Sequence, residues 1–153
     1  LSDQSREAMN ILRETIWAVQ EQSHSLESFV NRIRNFLQRT FAVTNIEYSF
    51  GVSGKPGKDL SPEQTLNLFR CIQECTQNII KHAGATRAAY EFEAEGNRLQ
   101  IVVRDNGSGF DAGKESTGNG LRNIRNRVKE LNGNITIESG GDNGTVITIE
   151  TML

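Results

Sequence analysis

Leu99, Ile101 and Val103 alternate with Gln100, Val102 and Arg104, the two-residue period of a strand with one inward face. Asp105 continues the inward series, so the strand ends by turning a carboxylate toward the side of its own core residues. Burying such a group is costly unless donors meet it, and whatever sheet this strand joins must leave an opening there. The chain continues Asn106-Gly107-Ser108-Gly109. Glycines allow a sharp turn and a close approach of backbone to a flat ligand. An acceptor-only group at the mouth of an apolar slot suits an exocyclic amino group. The same letters, taken alone, also describe an ordinary Asp-capped turn.

Two further stretches bear on that opening. Leu66, Phe69, Ile72, Thr76, Ile79 and Ala83 recur at steps of three and four, which predicts a helix with one apolar stripe. Glu74, Asn78, Lys81 and His82 fall on its other side as one polar row. The oxygens in that row suit Mg²⁺ and the nitrogens suit phosphate, although a solvated helix face has the same composition. Gly118-Asn119-Gly120 then opens a segment in which Leu121, Ile124, Val128 and Leu131 have helical spacing, ended by Asn132-Gly133. Glycines at a helix start expose backbone N–H groups to an anion, and they equally form caps or hairpins.

Together, in this order and spacing, these stretches resemble the GHKL superfamily. It comprises the nucleotide-binding domains of DNA gyrase, heat-shock chaperones, mismatch-repair ATPases and sensor histidine kinases. Glu74-x-x-x-Asn78-x-x-Lys81-His82 is similar to the histidine-kinase form of its first box, Asp105-x-Gly107-x-Gly109 to the second and Gly118-x-Gly120-Leu121 to the third. Gly144-Thr145 is similar to the closing element. The likeness covers about residues 25–153. It implies that ATP is bound with Mg²⁺ and that Asp105 holds the adenine amino group, with Thr145 assisting through water. It further implies that Asn78 ligates the metal beside Glu74, while Lys81, His82 and the amides of 118–120 meet the phosphates. Gly107, Gly109, Phe110, Gly118, Gly120 and Leu121 complete the nucleotide set. The short polar run from Phe110 to Thr117 is expected to be a lid, with Lys114 in it.

The remaining elements set the fold class. Residues 1 to about 22 are helical in composition, with Ala8, Ile11, Leu12, Thr15, Ile16 and Val19 as an apolar stripe. Arg13 to Ala18 resembles the end of a dimerisation helix in a histidine-kinase family whose response regulators carry helix-turn-helix outputs. An amphipathic helix packed on the domain is the plainer alternative. Ser25 is a candidate N-cap for a helix bearing Leu26, Phe29, Val30, Ile33, Phe36, Leu37 and Phe41. A strand is expected at 45–51 and a loop from Gly51 to Asp59. Ser61-Pro62-Glu63 starts the central helix, with strands following over 88–95 and, as a closing hairpin, over 135–149. This order predicts an α+β, two-layer sandwich with a mixed, mostly antiparallel sheet and helices on one face. Residues 1–23 are expected to be the end of a dimerisation helix and linker, and 24–153 the catalytic domain.

A net charge of −2 gives no sign of nucleic acid or a membrane surface as partner. Cys71 and Cys75 lie four apart on that helix, Cys75 beside the polar row; they lack zinc-site spacing, and a reduced, cytoplasmic setting is expected. His24 lacks the acidic neighbour of a phospho-acceptor. The expected function is therefore the ATP-binding catalytic domain of a sensor histidine kinase, detached from its acceptor. Its expected partners are the upstream phospho-acceptor domain, a response regulator and a second copy in the full-length homodimer. The alternatives are a stand-alone serine kinase of the anti-sigma-factor type and a non-catalytic nucleotide-binding scaffold.

Overall fold

The computed structural model describes residues 2–20, 24–81, 84–109, 120–140 and 143–153. Its elements are α1 (Asp3–Gln20), α2 (Leu26–Phe41), β1 (Glu47–Pro56), α3 (Pro62–Lys81), β2 (Arg87–Gly96), β3 (Arg98–Asp105), α4 (Gly120–Glu130), β4 (Asn134–Ser139) and β5 (Thr145–Met152). The strands form one sheet in the order β1-β2-β3-β5-β4. β1 and β2 are parallel, and the other three pairs are antiparallel. The α+β two-layer arrangement expected from the element order is the one found.

Local chemistry explains where the helices begin. Ser25 caps α2, its hydroxyl accepting the Ser28 N–H at 3.1 Å. Ser61 and Gln64 form a reciprocal box at the start of α3: the Ser61 hydroxyl accepts from Gln64 N at 3.1 Å and Gln64 Oε1 accepts from Ser61 N at 2.8 Å. At the far end of α4, Asn132 takes φ 54° and the Gly133 N–H donates to the Val128 carbonyl at 3.0 Å.

The core lies between the sheet and the helices. Phe29, Ile33 and Leu37 of α2, Leu68 and Ile72 of α3, and Tyr90, Phe92, Leu99, Ile101 and Ile149 of the strands are essentially without solvent contact. The opposite face of the sheet is uncovered and carries Arg87, Glu91, Glu93 and Arg104, all exposed.

The structure refines the sequence reading at three points. β1 does not stop at Gly51 but runs to Pro56, paired with β2 along all ten residues. Its glycines fit rather than break the strand: Gly54 adopts φ 77° where any Cβ would collide with the Ala94 carbonyl. Cys71 and Cys75, left unplaced by the apolar stripe read on α3, are interior. α3 is covered by the sheet on one side and by α4 on another, so Leu68, Cys71 and Cys75 are as buried as Ile72, while Leu66 is only half-buried. Burial raises the Cys71 thiol to about 12 and pushes Cys75 higher still, which makes both packing groups rather than ligands. On α1 the described apolar residues of the stripe do not pack on the domain as the plainer alternative, an amphipathic helix packed there, would have them do. Ile11, Leu12 and Ile16 are exposed, with Met9 beside them, and the helix meets α3 through Glu14 and Trp17. Among the described residues no helix is long and apolar enough to cross a membrane.

Candidate functional site

β3 delivers Asp105 to the helix-covered side of the sheet, as its parity requires. The residue is half-buried and paired across the ladders with Ala88 on one side and Thr145 on the other. Its Oδ1 accepts the Gly107 N–H at 2.8 Å. Burial raises its carboxyl above the ordinary 3.8, and hydrogen bonds from the Gly107 and Thr145 backbone pull it back. The protein therefore keeps a partly desolvated acceptor at the end of β3.

Asn106, which the sequence marks only as a turn residue, fixes that carboxylate in place. Its Oδ1 accepts from Thr86 N at 2.9 Å and Arg87 N at 2.8 Å, and its Nδ2 donates to Thr86 Oγ1 at 2.9 Å. The end of β3 is thus stapled to the start of β2. Beneath it, the buried Tyr90 hydroxyl is 2.8 Å from Thr76 Oγ1, which itself donates to the Ile72 carbonyl at 2.8 Å. That bond sets the spacing of α3 from the sheet.

Two glycines close the strand end. Gly144, at φ 70°, presses on the Asp105 carbonyl so closely that no side chain fits. Gly109, at φ 69°, faces Ser139 Oγ, with only 2.9 Å between that atom and an added Cβ. The Thr145 hydroxyl, expected to need a water, has a protein partner in Ser139 Oγ at 2.9 Å. The second box and the closing Gly-Thr element are therefore in direct contact.

The first and third boxes meet as well. Glu74 and Asn78 lie one turn apart on α3, both half-buried, and among the described residues neither side chain has a hydrogen-bond partner. Both face Gly120, the first residue of α4: a Cβ there would stand 3.1 Å from Glu74 Oε2 and 3.4 Å from Asn78 Oδ1. Two uncommitted oxygen donors thus converge at the amino end of a helix. Leu121 packs against the core behind them. Lys81 ends α3, exposed, its Nζ donating to Gln77 Oε1 at 3.3 Å and so committed to its own helix. His82, Phe110, Gly118 and Lys114, with the expected lid, lie outside the described residues. A concavity of about 380 Å³ lies over Glu47, Ser49, Arg87, Ala89 and Arg104 on the uncovered face, with Asp105 and Asn106 at its end. It shares the strand end with the site but not the α3 row.

A half-buried carboxylate at a strand end and two oxygen donors converging on a helix start, under a one-sided helical layer, make the arrangement of a nucleotide-binding domain of the ATPase type. The family described as histidine kinase-, DNA gyrase B- and HSP90-like ATPases matches residues 63–153, and the chain belongs to it. Among curated relatives, UhpB of Salmonella typhimurium, a signal transduction histidine-protein kinase/phosphatase, is 41% identical over 78 residues, 51% of this chain and 16% of UhpB. DegS of Brevibacillus brevis, of the same description, is 35% identical over 107 residues, 69% of this chain and 28% of DegS. The chain thus matches less than a third of the length of either relative. In fold it is similar to the histidine kinase domain of a blue-light activated kinase from Erythrobacter litoralis, with TM-score 0.70 at 19% identity over 96% of this chain and 72% of that one. The catalytic domain of the histidine kinase ThkA gives TM-score 0.69 at 16% identity, over 86% of this chain and 95% of that one.

Proposed function

We propose that this chain binds ATP with Mg²⁺ and presents the γ-phosphoryl to a histidine on a dimerisation helix, as the catalytic part of a bacterial sensor histidine kinase. In this reading residues 1–23 belong to the end of that helix and its linker, and 24–153 form the ATP-binding domain. A second copy and a response regulator are the partners of the full-length protein.

The convergence of Glu74 and Asn78 on Gly120 at the amino end of α4, in a domain whose β3 ends in the half-buried Asp105, supports the proposal. Asp105 accepts the adenine amino group, and its two backbone donors counter the effect of burial on the carboxyl. Thr145 and Ser139 hold the strand ends against the base. Asn78 and Glu74 fit Mg²⁺, which takes one or two protein oxygens and otherwise keeps water and phosphate. When bound, that ion offsets phosphate charge. The amino end of α4 directs its N–H groups and positive dipole end at the same place. Lys81 reaches the phosphates by exchanging Gln77 for them. Positioning and charge are what a phosphoryl donor site must supply, and this set supplies both.

His24 is built into the fold instead of serving as an acceptor. Its carbonyl accepts the Leu60 N–H at 2.9 Å and its Nδ1 lies 3.4 Å from Thr65 Oγ1. Incubated with Mg²⁺ and γ-labelled ATP, the chain is expected to bind nucleotide and take up almost no acid-labile label. Transfer requires the acceptor nitrogen about 3–3.5 Å from phosphorus and in line. Label should pass to an added polypeptide carrying dimerisation helices with an acidic residue beside a histidine. Strong labelling of His24 would overturn this reading, and labelling of an added protein on serine would replace it with the anti-sigma-type kinase.

A further inference from the structure

β1 stands at the edge of the sheet, with β2 as its one neighbouring strand among the described residues. At its two ends the Glu47 N–H donates to the Thr86 carbonyl at 3.0 Å and the Gly57 N–H to the Gly96 carbonyl at 2.6 Å. Between these bonds the two-residue period turns the odd-numbered backbone groups to β2. The N–H and C=O groups of Tyr48, Phe50, Val52 and Gly54 therefore point out of the sheet. Among the described residues no backbone bond from outside the sheet meets them. Side chains sort by the same parity. Tyr48 stacks on Phe41 at 4.9 Å and Phe50 lies 5.2 Å from Phe92, whereas Glu47, Ser49, Gly51, Ser53 and Lys55 are exposed. Val52 has the inward parity and is still 45% exposed. Edges are usually blunted by charge, proline or a bulge, and here Lys55 and Pro56 guard only the far end.

We propose that this edge pairs with the same edge of a second copy, β1 antiparallel to β1 about a two-fold axis at Gly51, so that the two sheets become one. The strand is complementary to itself in that register. Glu47 falls opposite Lys55 of the second copy, Ser49 opposite Ser53, and Gly51 opposite Gly51. Phe50 pairs with Val52 and Tyr48 with Gly54, each pair exchanging N–H···O=C bonds in both directions through the outward groups just named. The odd-numbered pairs are the close, non-hydrogen-bonded ones, so carboxylate and ammonium meet at both ends of the seam. Sliding the strands by two residues sets Lys55 against Asn45 or Ser49 and unmatches both charges. Sliding them by one turns the apolar side of one copy to solvent. The axis stands perpendicular to the sheet, which keeps the helical layers of both copies on one side. The exposed Val52 gains Phe50 of the second copy as its cross-strand neighbour.

Gly51 lies on the axis with nothing within 4 Å of an added Cβ, so Gly51→Cys reports the pairing directly. Cys71 and Cys75 are buried and stay out of the reaction. Under copper–phenanthroline oxidation Gly51→Cys should form a disulfide dimer. Ser49→Cys and Ser53→Cys, each too far from its own counterpart to bridge, should cross-link only when mixed with one another. In sedimentation equilibrium the parent's mass should rise toward that of a dimer with concentration. Glu47→Lys and Lys55→Glu each set like charges together at both ends and should weaken self-association by roughly tenfold or more. Mixing those two variants should restore pairing, because every Lys then meets a Glu, and so should the double variant. In dilute solution all of them should unfold at the parent's temperature, since the altered positions are exposed. A parent that stays monomeric, with Gly51→Cys cross-linking no faster than Ser49→Cys alone, would overturn the proposal. So would a dimer indifferent to both charge reversals, which another surface must then hold. A monomeric parent that takes up an extended peptide of unrelated sequence along β1 would overturn it as well, and would give the edge to a different polypeptide.

Discussion

Asp105→Asn should separate ligand binding from stability, moving them in opposite directions. Asparagine keeps an oxygen for the Gly107 N–H, 2.8 Å away, so the turn survives. What changes is the charge. For adenine, a charge-assisted bond becomes a neutral one or is replaced by a clash of donors. That costs about 1.5–3 kcal/mol, roughly a ten- to 150-fold loss in affinity. In the empty protein the effect reverses. Burial holds this carboxyl above its ordinary 3.8, so the folded state binds its proton more tightly than the unfolded chain does. Ionisation therefore costs folding free energy. The cost is absent below the unfolded value, grows as pH rises through the raised folded value, and is complete at neutrality. The asparagine variant lacks it. Titration calorimetry with a non-hydrolysable ATP analogue and thermal unfolding at pH 4 and pH 7 would test both halves. The variant should bind weakly, melt no lower than the parent at pH 7, and lose that relative advantage at pH 4. Unchanged affinity in a folded variant would place the base elsewhere. A variant melting well below the parent at pH 7 would show the two backbone bonds outweighing desolvation, making Asp105 a structural anchor.

Asn78→Ala should weaken ATP binding in Mg²⁺ by at least about tenfold while leaving binding in EDTA nearly unchanged; equal losses in titrations under both conditions would make Asn78 a structural residue. Gly144→Ala places a methyl against the Asp105 carbonyl at φ 70° and should lower stability in denaturant titrations by about 1–3 kcal/mol or more, lowering nucleotide affinity with it. Gly51→Ala, in β1 with nothing within 4 Å of the new methyl, is the control and should stay within about 0.5 kcal/mol of the parent.

How far the site could be read in advance depended on whether side-chain period alone decided the matter. The parity of Leu99, Ile101 and Val103 was enough to bring Asp105 to the covered side, whereas the placing of Thr145 beside it is a matter of ladder register, which side-chain period does not give. Contacts made by backbone left no such trace. Nothing in the letters shows Gly120 meeting Glu74 and Asn78, because the signal for close approach is a missing Cβ, and a glycine used as a cap has the same spelling. Asn106 was concealed for the opposite reason: an Asn before Gly fits a turn so well that its three bonds to Thr86 and Arg87 add nothing visible. α3 misled because a single-stripe helix was assumed. With α4 packed on its flank, Cys71 and Cys75 are interior, a fact that only the third layer of contacts reveals. The tie between Glu14, Arg70 and Gln73 joins residues far apart in sequence with no periodic pattern at all.

Strand β1 bears on how the chain is made. Its partner positions on β2 lie far along the sequence, Glu47 opposite Arg87 and Pro56 opposite Gly96, with all of α3 in between. β2 and β3, by contrast, are joined by Asn97 alone and can zip locally. During synthesis β1 emerges first and must wait, its full ladder of N–H and C=O groups unmatched, until β2 has been translated. An unpaired strand in that position invites pairing with another nascent chain. The residues that make β1 a poor strand on paper, Gly51, Gly54, Lys55 and Pro56, keep the waiting segment from being a good template. It becomes a strand only when β2 is present to hold it, at the cost of an edge that should be the first part of the sheet to exchange its amides.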